Sequence, residues 1–287
     1  PDRCRHRPAP GPGVDQRDVM AATAVRPASH RSDLRAVAMP TEHGGWGLTL
    51  EPVLLGLLVA PSIAGTCIGL AAIVAFLART PLRIILVDLR RRRWLPRSAV
   101  ALAVFSAEAT VLAILGGIAI ARTDAATWWP LAAMAPFIAV ELAYDARSRS
   151  RRLVPELAGA IGVSGVVALV ALAGGAATSV ATAAWLLLAA RALTSIPTVR
   201  DQVAGLHGRP RDRRRVLMFD ALALATASAA VAVTTSALLG AATVLAVVLT
   251  QHLLERWPAP RAAILGARQT VLGTVLVVLA SIGFGLG

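Results

Sequence analysis

Apolar residues in this chain come in blocks separated by short polar stretches, from Trp46 to the C-terminus. Strict alternation of apolar and polar positions is absent, which argues against β-structure. The blocks fall at 46–62, 66–87, 98–121, 128–143, 156–175, 183–199, 216–235, 237–255 and 265–286. As helices, runs of about 20 residues cross the ~30 Å of a bilayer's hydrocarbon. With no water there to satisfy the backbone, a helical bundle is the fold this pattern predicts. The expected class is all-α: a polytopic membrane bundle of about nine transmembrane helices, with 39–287 as a single multi-pass domain. Residues 1–38, rich in Pro, Arg, Ala and Ser, have no apolar periodicity and no continuous apolar core like that of a signal peptide. They are expected to be disordered, as sequence lying ahead of a start at Met39.

Composition agrees with this picture. Mean hydropathy is +0.66, and charged residues are 16%, against roughly 25% in soluble domains. The 29 basic residues are all arginine and give a net charge of +13. They crowd the loops after the second, fourth, sixth and eighth blocks, "DLRRRRWLPR", "YDARSRSRRLVPE", "RDQVAGLHGRPRDRRR" and "RWPAPRAA". The other loops, "PSIAGT", "ARTDAAT", "GGAATSVATA" and "TS", hold only Arg122. Positive residues stay on the cytoplasmic side, so the N-terminus is expected inside and the C-terminus outside. Arginines placed this way serve topology, and nucleic acid is not an expected partner. Cys4 and Cys67 are too few for a disulfide framework.

Charges at bilayer depth are costly, so each needs a partner, a wet cavity or a route to the surface. The charges at issue are Glu51, Arg79, Arg83, Glu108, Glu141 and Arg191. Arg79 lies nine residues before Asp88, about 13 Å below the cytoplasmic mouth. Arg83 shares its helix face. Two pairings, Arg79–Glu108 and Arg191–Glu51, would neutralise the deep charges. Alternatively, these residues line one inward-facing cavity, with Glu51, Glu108 or Glu141 as acid or base. Glu141 and Asp145 face the same way one turn apart. Glu156 is placed to complement a helix N-terminus. The second and sixth blocks echo each other: an Ala-Arg pair, then an Asp nine or ten residues later (Asp88, and Asp201 beside Arg200).

The opening "MPTEHGGWGLTLEPVLLG" sets Glu42 and His43 at the entry of the first block, where they can bind an anion or relay protons. The five histidines are scattered, and His252 with Glu255 alone makes no metal site. No cofactor or metal is expected: the chain lacks a phosphate-binding loop, a dinucleotide fingerprint and a nucleophile elbow.

The segments "PTEHGGWGLTLEPVLLGLL", "ARTPLRIILVDLRRRRWLPR", "YDARSRSRRLVPELAGA" and "WLLLAARALTSIPTVR" resemble the YwiC-like family of bacterial integral membrane proteins over about residues 39–287. The resemblance implies a multi-pass protein of the bacterial inner (cytoplasmic) membrane and no particular reaction. The topology is similar to that of the UbiA prenyltransferases, which carry Asp-rich magnesium motifs after helices two and six. At those places this chain has Asp88 among arginines and Asp201 after Arg200. The functional expectation is an Arg-lined, cytoplasm-facing cavity for an anionic amphipath, an isoprenoid- or quinone-related lipid. Its ligand-binding candidates are Glu42, His43, Arg79, Arg83, Asp88, Arg191, Arg200 and Asp201. The alternatives are a transporter of a small anion or proton-coupled solute, and a non-catalytic assembly factor docking through its arginine loops.

Overall fold

A computed structural model describes residues 43–147, 152–257 and 260–287, so the segment 1–38 and Glu42 lie outside it. The described residues fold into ten α-helices: α1 (His43–Val59), α2 (Ile63–Arg90), α3 (Pro96–Ile120), α4 (Trp129–Ala146), α5 (Leu153–Ser164), α6 (Val166–Ala173), α7 (Thr178–Leu206), α8 (Arg213–Val233), α9 (Leu238–Leu254) and α10 (Ala262–Leu286). They correspond to the nine expected blocks, with one block divided. Residues 156–175 form α5 and α6, joined at Gly165. A Cβ at Gly165 would press on Met134 and Trp185, so glycine lets this junction pack closely. Eight helices, counting α5–α6 as one, are long and apolar enough to cross a membrane, and the apolar part of α1 is shorter. This is a polytopic helical bundle.

α7 and the α5–α6 pair form the interior, while α3 is peripheral and leans on α2. The core is small and tight: Leu55, Leu187 and Leu276 are fully buried beside alanines of α7, α8 and α10. Small side chains let membrane helices approach closely, which stands in for the missing hydrophobic drive. α10 packs on α1, so the first and last helices meet, and α1 also touches α2, α5, α6 and α7. The N-terminal half of α1 is thereby enclosed on several sides.

The two longest helices, α2 and α7, end alike. After α2, Arg92 takes φ 49° and Arg93 N donates back to the Asp88 carbonyl. After α7, Gly208 takes φ 67° and Arg209 N donates to the Ala204 carbonyl. Both are left-handed helix stops of the Schellman kind. The arginine bias predicts that these ends face the cytoplasm. In intact cells of a variant without native thiols, Arg213→Cys should resist an impermeant thiol reagent and Ala177→Cys should react. Labelling of Arg213→Cys from outside would reverse the orientation.

Candidate functional site

The intramembrane charges fall into two groups flanking the start of α1. On one side, the ring of Trp46 meets that of Phe76 edge-on, 5.2 Å between centroids, tying α1 to α2. One turn further on α2, Arg79 reaches two carboxylates of α4: Glu141 Oε1 at 2.9 Å and Asp145 Oδ2 at 2.9 Å. Glu141 lies flat against Gly159 of α5, where any Cβ would strike its carboxylate. The expected Arg79–Glu108 pair is not formed. Glu108 shares the stripe of Ala101, Val104 and Phe105 by which α3 packs on α2, and its Oε2 is shielded without a hydrogen bond among the described residues. The one-turn spacing of Glu141 and Asp145 matches the forked guanidinium better than a single acid does. Arg83 is half-buried on the same helix and has no ion pair among the described residues.

On the other side of α1 lies a cavity of about 190 Å³. α1 contributes Gly47, Leu48 and Glu51; α5 contributes Glu156; α10 contributes Gly266, Gln269 and Thr270. α7 provides Arg191, Ser195, Ile196, Val199 and Arg200. At the mouth, Arg200 Nη1 meets Glu156 Oε2 at 2.7 Å, so Glu156 does more than complement the start of α5. At the deep end the expected Arg191–Glu51 pair is present: Nη2 is 3.5 Å from Glu51 Oε1 and donates to the Gln269 carbonyl at 2.6 Å. Arg191 is 3% exposed, and its Nε and Nη1 find no hydrogen-bond partner among the described residues. Glu51 fits only because Gly273 offers no side chain, since a Cβ there would overlap the carboxylate. Pro52 has no N–H, which deprives the Leu48 carbonyl on the cavity wall of its usual helical donor. One turn further along α1, α7 and α10, Leu55, Leu187 and Leu276 are fully buried in the core.

The cavity therefore gathers Glu51, Arg191 and Arg200 from the expected set, while Arg79 and Glu141 form the separate cluster. Asp88 and Asp201 anchor loops. Asp88, fully buried, accepts from Ser98 Oγ at 2.8 Å and from Arg97 and Arg93. Asp201 accepts from Arg211 Nε at 2.7 Å and the Asp212 backbone N–H at 2.6 Å. Nothing is described for the side chain of His43.

Sequence reading missed a third polar cluster, between α7, α8 and α9. Asp220 accepts from Thr194 Oγ1 at 2.5 Å and meets His252 Nε2 at 2.8 Å. Beyond it, Glu255 holds Arg211, at 3.3 Å, and thereby joins the Asp201 loop. The signal was available: Asp220 stands in the apolar run "VLMFDALALA", two turns into α8.

No curated protein and no solved structure matches the chain. Nothing in the comparisons therefore ties the fold to that of the UbiA prenyltransferases. A family model described as YwiC-like protein matches residues 39–172, a stretch that carries Glu51, the Arg79 cluster and Glu156. Over those residues the chain is similar to that family.

Proposed function

We propose that this chain is a binding protein of the bacterial cytoplasmic membrane whose cavity between α1, α7 and α10 takes the charged head of an anionic amphipath. One observation carries the reading. Arg191 is buried on a cavity wall with its Nε and Nη1 donors unbonded among the described residues. Burying unbonded donors of a charged group costs several kcal/mol, a cost that an oxyanion seated on them lowers. Leu48, Ile196 and Val199 give the same cavity apolar wall, which suits an isoprenoid- or quinone-related chain next to the head. Arg200 and Glu156 stand where the head enters. Where chemistry accompanies binding, Glu51 is the acid or base beside the bound head.

The volume favours a head group over a whole amphipath, since sites enclosing drug-sized ligands run to roughly 300–1,000 Å³. A small soluble anion is therefore the second reading, and transport of it the second function. Magnesium-dependent prenyl transfer gains no support, because Asp88 and Asp201 are already engaged by arginines and backbone of their own loops. Native mass spectrometry in mild detergent tests the first reading. The wild-type protein should retain an anionic lipid, and Arg191→Lys, which keeps the charge but loses the fork, should release it. Equal retention by both would contradict lipid-head binding at Arg191, and anion flux through liposomes without lipid retention would favour the second.

A further inference from the structure

We propose that the cavity takes up one proton with each singly charged anion it binds, the anion on the unbonded donors of Arg191 and the proton on Glu51. The inference rests on the anion-binding reading above and adds its charge and its coupling. At the deep end, Arg191 and Glu51 already balance one another, 3.5 Å apart and nearly excluded from solvent. The guanidinium spends Nη2 on Glu51 and on the Gln269 carbonyl. Nε and Nη1 remain without a partner among the described residues, and either donor can serve an oxyanion.

An oxyanion seated there shares a single cation with Glu51, one helical turn from the buried Leu55, Leu187 and Leu276. Two negative groups so close in an apolar surround do not both stay ionised at low cost. Protonating Glu51 resolves the conflict in place. The carboxyl group becomes neutral, and its new O–H can donate to the bound anion. The proton comes from solvent through the mouth and no covalent bond changes.

Among the described residues, no second cation at this depth offers an alternative. α7 brings Arg191 and, at the mouth, Arg200, which Glu156 of α5 engages. α10 brings Gln269, Thr270 and Gly273 to this end, and its Arg268 lies outside the lining. α6 carries no charged residue. α2 commits Arg79 to Glu141 and Asp145, and Asp88 to Ser98 and Arg97, and Arg83 lies outside the lining. A dianion would thus meet one available positive charge and two carboxylates, so the site suits a monoanion.

The test uses 1-octanesulfonate, which stays ionised throughout, titrated calorimetrically into the full chain in dodecyl maltoside. Between about pH 5.5 and about pH 8.5, wild-type affinity should fall as pH rises, approaching about tenfold per unit where free Glu51 is ionised. Glu51→Gln should bind with a flat profile and hold the anion at high pH as tightly as wild type does at low pH. Arg191→Lys should lose binding across the range. Arg191-dependent binding with a flat wild-type profile would overturn the proton coupling and leave the anion site standing. A slope that persists in Glu51→Gln would overturn the assignment of the proton. Binding unaffected by Arg191→Lys, or no binding by the folded wild type, would overturn the anion site itself. The wild-type profile decides the coupling without any variant.

Discussion

Arg79→Gln should destabilise the bundle by about 3–5 kcal/mol, the range for breaking a buried ion pair by removing one partner. Gln keeps most of the length and some hydrogen bonding but removes the charge. Glu141 would remain against Gly159, and Asp145, 1% exposed, would remain buried one turn away. Both carboxylates would then repel each other with no cation between them. Unfolding in mixed micelles reads the loss. The triple variant Arg79→Gln, Glu141→Gln, Asp145→Asn should recover most of it, because it strands no charge. Stability unchanged by Arg79→Gln alone would mean that water already solvates the two acids.

Arg191→Gln should lose a comparable amount, about 3–5 kcal/mol, since it leaves Glu51 buried and uncompensated. Here the second substitution separates structure from function. Adding Glu51→Gln should restore most of the stability, as two neutral amides replace the pair. Anion binding should stay absent, because the guanidinium and its unbonded donors are gone. If the double variant regained binding along with stability, Arg191 would be a structural ion-pair partner and nothing more. A Cβ on residue 273 should act on the same pair from the other side: Gly273→Ala pushes the Glu51 carboxylate off α10.

Much of the fold could be read from the chain because lipid imposes two strong rules. Helices must be long and apolar, and arginines must stay on one side. Those rules located every block, and they missed the break at Gly165 because a glycine inside an apolar run looks the same whether it bends a helix or packs it. Partners were harder. Arg191–Glu51 was anticipated, as each is a deep, isolated charge in need of an opposite. Arg79 met Glu141 and Asp145 instead of Glu108 because depth alone says nothing about which face of a helix a charge takes. α2 packs on both α3 and α4, and Arg79 turns to α4. The one-turn spacing of Glu141 and Asp145 was visible in the sequence, but its target was not. Asp220 was overlooked although it stands two turns into α8 in an apolar run; in the fold it is 5% exposed and bound by Thr194 and His252. Asp88 and Asp201 were matched to each other by spacing alone. The structure gives that echo a local meaning, since each aspartate gathers the arginines of the loop that follows it.

The central claim is that an anion occupies the cavity at the unbonded donors of Arg191. Val199 lies on its wall, between Ser195 at depth and Arg200 at the mouth. In a background with Cys4 and Cys67 replaced, a cysteine introduced as Val199→Cys should react with a small thiol reagent at a rate that 1-octanesulfonate slows. The same cysteine combined with Arg191→Lys should react at one rate with or without the anion. Protection that survives Arg191→Lys, or no protection in the background that keeps Arg191, would contradict the account.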